Sequence, residues 1–381
     1  MKNFYLIAKT LSGLEPVLAR EIQNLGGENV RIGKRSVFYE GDMEMIYKSN
    51  YFLRTALRIL KEITAFRFRD TDEFYLKCKK VDWEKYLSLK HSFVIRSTVT
   101  DSADFRNTMF ASLKVKDAIA DYFMEKTGKR PDVDTRDADI HIDVHIHRNN
   151  CTLSLDSSGE SLHKRGYRVH QGKAPLSEVL AAGMILLSGW KGDTDFIDPM
   201  CGSGTLPIEA AMIARNIAPG RFRKIYAFEN WPDYKERDFE KAKNSQVPVP
   251  FRNKIFASDI LRENILMAQT NARRARVFSE IEFQVCDMKD LQIDTNQATL
   301  IINPPYGERL QEVNINSIYS MIGERLKHQF HGNKAWILTS SAGYLHHVGL
   351  KPSDKINLYN GALQCIFASY PLFSGKRNKN N

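Results

Sequence analysis

The stretch "FIDPMCGSGTLPIEAA", 196–211, opens on two apolar residues, reaches an acid at Asp198, turns through Gly202 and Gly204, and runs on as an apolar helix. The turn lacks the third glycine and the lysine of nucleotide-phosphate loops, which disfavours a pyrophosphate ligand. Its two glycines let the main chain approach a ligand closely, and the helix from about Leu206 offers free amide groups to a carboxylate. Outward from it, short apolar strands alternate with helices. Helix 176–190 precedes it; strand 254–260, helix 262–275, strand 280–287 and strand 298–305 follow. This alternation predicts an α/β fold with a mostly parallel sheet covered by helices on both faces. Ligands of such sheets lie beyond the carboxyl ends of the strands.

Those strand ends carry the chemistry. Asp259 closes "FASDI" and Asp287 closes "QVCD", so Asp198 is the first of three acids at successive strand ends. A carboxylate at Asp259 can take ribose hydroxyl protons, and one at Asp287 can accept from an adenine amino group. The fourth strand ends "LIINPPYGER", 300–309, where Pro304 and Pro305 cannot donate to a ladder and so turn carbonyls outward. The Asn303 side-chain oxygen and the Pro304 carbonyl can together accept both protons of a flat amino group, and Tyr306 can stack on the ring that bears it.

The front of the chain reads differently. Residues 4–10 and 36–41 alternate as strands around a helix over 13–27 that closes on Gly26 and Gly27. Strand 92–100, an amphipathic helix over 110–127 ended by Gly128, and a hairpin over 139–156 turning at Asn149 and Asn150 make a second α+β stretch. In that hairpin His141, Asp143, His145 and His147 share one face. They read as the polar face of a half-buried strand, not as metal ligands.

"SLHKRGYRVHQGK", 161–173, is basic, with Lys164, Arg165 and Arg168 around Tyr167 and no acid. It reads either as a solvated linker or as a segment that touches phosphates and stacks a base. The whole chain of 381 residues carries 55 Lys and Arg against 45 Asp and Glu, a formal charge of +10 that favours a polyanionic partner. Hydrophobic residues make up 43%, enough for sizeable cores in two or three domains. The five cysteines form no C-x-x-C pair, which argues against zinc or a disulfide framework, and the longest apolar run, 179–187, is too short to span a membrane. A cytoplasmic protein is expected.

The set "DPMCGSGT", "SDI", "CDM" and "NPPYGER", with "LHKRGYR" and residues 130–159 before it, resembles the THUMP-domain RNA guanine-N2 methyltransferases dependent on S-adenosyl-L-methionine. The likeness spans nearly the whole chain and includes single-module relatives labelled N6-adenine-specific DNA methylases. It implies a ferredoxin-like domain over 1–60, a THUMP domain for RNA capture over 61–160, a basic linker over 161–174 and a Rossmann-like catalytic domain over 175–381. By the same resemblance Asp198, Pro199, Cys201, Gly202, Gly204, Thr205, Asp259, Ile260, Asp287 and Met288 line the cofactor. Asn303, Pro304, Pro305 and Tyr306 hold the target base, while Lys164, Arg165, Tyr167, Arg168 and Arg309 touch RNA, most simply 23S rRNA. A tRNA guanine or an adenine N6 as target, and a ribosome-assembly factor that binds RNA without catalysis, are the competing expectations. The long gap between Gly204 and Asp259 has no explanation in spacing.

Overall fold

The computed structural model describes residues 3–169, 176–295, 297–305 and 315–373. Among them no helix is long and apolar enough to cross a membrane. The front half is one sheet of β1 (Phe4–Lys9), β2 (Glu28–Gly33), β3 (Ser36–Gly41), β4 (Arg58–Arg67), β5 (Phe93–Thr100), β6 (Ile140–His147) and β7 (Asn150–Asp156). The order is β2-β3-β1-β4-β7-β6-β5. All its pairs are antiparallel except β5 with β6. Helices α1 (Glu15–Asn24), α2 (Met43–Phe52), α3 (Thr71–Lys79) and α4 (Thr108–Thr127) accompany it. The ten-residue β4 pairs with β1 and with β7, which makes the two α+β stretches continuous through one ladder.

The local rules are visible in α4 and the hairpin. In α4, Ala111, Val115, Ala118, Ile119, Tyr122 and Phe123 recur at helical spacing and are buried. Asn107 caps its first turn, and Gly128 ends it at φ +70°, a conformation that favours glycine. Ile140, Ile142, Val144 and Ile146 of β6 are all buried. The turn falls at Arg148 and Asn149, one residue earlier than expected, because Asn150 is held in the ladder by both His147 and Arg67. The opposite face of β6 is half-covered instead of solvated. There burial lifts the Asp143 carboxyl to about 6 against the pull of Lys9.

The second half comprises α5 (Glu178–Ser188), β8 (Asp195–Asp198), α6 (Thr205–Ala214), α7 (Glu236–Lys243), β9 (Ile255–Asp259), α8 (Arg262–Arg274), β10 (Ile281–Val285), β11 (Ala298–Ile302), α9 (Ile315–His328), β12 (Lys334–Thr339), α10 (Ala342–His347), β13 (Asp354–Asn360) and β14 (Leu363–Pro371). Its sheet runs β10-β9-β8-β11-β12-β14-β13. The first five strands are parallel, and β14 and β13 close the edge antiparallel. Phe196 and Ile301 face the cluster shared with α5, α6 and α8, while Ile197, Leu300 and Ile302 face the cluster shared with α9. Both faces of the sheet are thus buried, which is why its strands read as continuous apolar runs.

Candidate active site

The order β10-β9-β8-β11 sets the carboxyl ends of four parallel strands side by side. The registers place Asp198 opposite Ala257, Asp259 opposite Val285, and Leu300 opposite Ile197. Asp198, Asp259, Asp287 and Asn303 therefore stand at neighbouring strand ends. The chain crosses from β8 to β9 on one side and reaches β11 on the other, so they surround the switch point at which such sheets bind ligands.

Asp198 is 1% exposed, and its Oδ1 accepts from the Met200 amide at 3.2 Å. Burial, with the charge of Asp259 adding to it, pushes its carboxyl well above the usual carboxylate range. Such a group gains from a cation placed beside it. Pro199 is buried behind it. Burial likewise pushes the Cys201 thiol up, which makes it a packing residue and not a nucleophile.

Asp259 organises the glycine turn. Its Oδ2 accepts from the Gly202 amide at 2.9 Å, and its Oδ1 accepts from the Leu261 amide and Asn264 Nδ2, both at 2.9 Å. A carboxylate has about four acceptor sites, so roughly one further hydroxyl fits without displacing a protein donor. Beside it Ile260 is 63% exposed and presents an apolar side chain at the strand end. At Gly202, φ is +53° and no atom stands within 4 Å of where a Cβ would be, so a ligand can approach the main chain there. At Gly204, φ is +84° and a Cβ would stand 2.8 Å from that of Ala268, which requires glycine for α8 to pack against the turn.

On the next strand end Asp287 Oδ1 accepts from the Lys289 amide at 3.0 Å, and the carboxylate pairs with Lys289 Nζ at 3.4 Å. Met288 is 2% exposed in the cluster with Ile197 and Leu300; its side chain belongs to the core and is not available to a cofactor. Asn303 Oδ1 is buried and has no hydrogen-bond partner among the described residues. Pro304 beside it is buried and Pro305 half-buried. Tyr306 and Arg309 lie outside the described residues.

Comparison with known proteins decides the family. The profile of the RMKL-like methyltransferase domain matches residues 165–369. The chain belongs to that methyltransferase family. The THUMP domain profile matches residues 68–156, and that of the RlmL ferredoxin-like domain residues 5–60. A ribosomal RNA large subunit methyltransferase K/L of Psychromonas ingrahamii is 37% identical over 95% of this chain and 49% of its own length. The chain thus spans about half the length of that relative. The Synechocystis protein slr0064, provisionally named an RNA methyltransferase, is 33% identical over 96% of both chains. Among solved structures, SMU.472, a provisionally assigned methyltransferase in complex with SAH, superimposes over 100% of both chains with a TM-score of 0.88 and 31% identity.

In this member of the family the basic segment is mostly internal, which corrects the surface reading of three of its residues. Arg165 and Tyr167 are each 1% exposed. Arg165 forms a buried ion pair with Glu209 of α6 at 3.4 Å and donates to the Leu162 carbonyl at 2.9 Å and the Arg54 carbonyl at 2.5 Å. The Tyr167 hydroxyl donates to Glu209 Oε1 at 3.1 Å. Arg168 is bound to Glu178 and to Thr205, the residue that opens α6. Buried side chains already spent on carboxylates do not touch phosphates or stack a base. Lys164 alone of this group is exposed, paired with Glu160 at 2.7 Å.

Two features escape sequence reasoning. Asn271 of α8, 1% exposed, donates from Nδ2 to the Ser203 carbonyl at 3.0 Å and accepts the Val169 amide on Oδ1 at 2.9 Å, tying the glycine turn to the basic segment. Nothing in the surrounding helix pattern marks it. The insert between Gly204 and Asp259 packs on the front half. Tyr226, Phe228, Trp231, Phe239 and Ala242 join the front core, and Asp233 pairs with Lys61 at 2.8 Å.

Proposed function

We propose that the protein transfers a methyl group from S-adenosyl-L-methionine to the exocyclic N2 amine of a guanine in ribosomal RNA of the large subunit. The observation that carries this reading is the buried, unpartnered Oδ1 of Asn303 at the switch point of a methyltransferase sheet. An acceptor left unpaired in the interior costs about 1–3 kcal/mol, which an amino group of a target base recovers. The names of the K/L relatives support the RNA and its subunit. The division into a ferredoxin-like domain over 1–60, a THUMP domain over 61–160, a linker over 161–174 and a catalytic domain over 175–381 belongs to the same proposal. A cleft of about 1250 Å³ between the front sheet and the catalytic half, lined in part by Arg96, Arg136, Lys164, Arg223 and Lys224, supplies cationic surface for an RNA backbone.

The residues fit the cofactor: Asp198 gains from a cation, Asp259 has capacity for a hydroxyl, and Gly202 leaves the main chain approachable. When bound, the cofactor supplies an activated methyl group and a neutral leaving group. Asp198 stabilises positive charge, Asp259 and Ile260 hold the nucleoside, and Asp287 takes the adenine amine. A guanine amine is a weak nucleophile because its lone pair is delocalised into the ring. Asn303 Oδ1 and the Pro304 carbonyl accept its two protons, restore the lone pair and lie where positive charge develops on nitrogen. No metal and no strong base takes part. Asn303→Ala tests the assignment: methyl transfer to large-subunit RNA should fall about 10²–10³-fold with cofactor affinity unchanged by calorimetry. Wild-type turnover in that variant would refute the role of Asn303.

A further inference from the structure

We propose that Arg168 and the start of α6 together form the site that holds the α-carboxylate of the cofactor's methionine part, an inference that rests on the cofactor reading above. The guanidinium is fixed on two of its three nitrogens. Nε donates to Glu178 Oε1 at 2.9 Å, and Nη2 donates to the Leu176 carbonyl and to Thr205 Oγ1, both at 3.0 Å. Nη1 is buried and has no partner among the described residues, on a side chain only 8% exposed. Buried donors of a cation are nearly always paired, so an unpaired one marks a place where an acceptor belongs.

The contact with Thr205 says which acceptor. Thr205 is the first residue of the ten-residue α6, directly after Gly204, and that helix has no side-chain cap. Its first-turn amides and the positive end of its dipole are left to an anion, and the third helical residue, Pro207, has no amide to satisfy. The guanidinium fork and the helix start thus converge beside the glycine turn, and a planar carboxylate matches both. An RNA phosphate does not suit a side chain this deeply covered. A carboxylate at the end of a slender ligand does, and the α-carboxylate is the only anionic group of S-adenosylmethionine. Its cationic centres belong with Asp198, so the two charges of the methionine part are received by opposite charges of the protein.

The test compares binding of S-adenosylhomocysteine with its decarboxylated analogue, which lacks only that carboxylate, to the full chain by calorimetry. Wild type should prefer S-adenosylhomocysteine by about ten- to a hundredfold. Arg168→Lys, which keeps the charge and loses the fork, should prefer it less. The double variant Arg168→Met with Glu178→Gln removes both buried charges together, so no lone charge is stranded. Its preference should shrink to within about threefold. A purely structural role would weaken both ligands alike and leave the ratio untouched. A wild-type ratio in a variant that melts cooperatively overturns the inference, as does a wild-type protein indifferent to the carboxylate. Wild type that binds neither ligand overturns the cofactor reading itself, and this inference falls with it.

Discussion

Asp198 illustrates how a single residue trades stability for binding. Its folded pKa is raised by burial, so the folded state keeps a proton where the unfolded chain has lost it. Its contribution is fully present below the unfolded carboxylate pKa and is lost as pH rises through the raised folded value. Asp198→Asn removes that cost while the amide oxygen can still accept from Met200. The variant should melt higher than wild type at neutral pH, by about 2–4 °C for each kcal/mol gained in a domain of this size. The same substitution should weaken cofactor binding, because the charge that costs stability is the one that meets the cation. In wild type, affinity should strengthen as pH rises out of the ordinary carboxylate range, and in Asp198→Asn that dependence should be absent. Melting scans and calorimetry across pH check both halves; a variant that melts lower and binds as tightly would contradict them.

At the scale of elements, the insert between α6 and β9 is a clamp built from aromatic rings. Tyr47 of α2 lies 5.0 Å from Phe228 and 5.5 Å from Phe239 of α7, between ring centroids, and its hydroxyl accepts from the Lys235 amide at 3.1 Å. Phe239→Ala should cost about 3–5 kcal/mol, since the ring is 5% exposed in a packed core. Denaturant unfolding measures the loss, and limited proteolysis should cut first within 228–250. The insert was opaque in sequence because its apolar residues bury against a distant part of the chain, so their spacing follows no period of their own element. The edge strand β2 was hidden for a related reason: most of it is exposed on both faces and it shows no alternation. By contrast β8, β9 and β11 were legible, because strands buried on both faces advertise themselves as apolar runs ended by Asp198, Asp259 and Asn303. The turn at Asn303 was legible because proline excludes the ladder. The burial of Arg165 and Arg168 was not, because their partners Glu209 and Glu178 lie outside the basic run.

At the scale of the molecule, the two halves are joined through buried polar contacts as well as apolar packing. Glu21 of α1 accepts from the Arg54 amide at 2.8 Å, Arg54 Nη2 donates to the Met212 carbonyl at 3.4 Å, and Arg165 spans Arg54 and Glu209. Leu14 packs into the catalytic core so closely that a Cβ on Gly183 would stand 2.6 Å from it. Arg165→Ala should therefore destabilise the fold by about 3–5 kcal/mol, because it strands the Glu209 charge, whereas Lys164→Ala at the surface should change stability by less than about 1 kcal/mol. Equal effects of the two on unfolding would contradict this view of the segment. The front sheet is thus held rigidly against the catalytic half, which suits an RNA positioned by one half and modified by the other. That account is tested most directly by incubating the full chain with methyl-labelled S-adenosylmethionine and large-subunit ribosomal RNA from cells that lack the protein, then digesting the RNA to nucleosides. The account predicts label in N2-methylguanosine and its loss with Asn303→Ala; label in N6-methyladenosine, or none in any nucleoside, would contradict it.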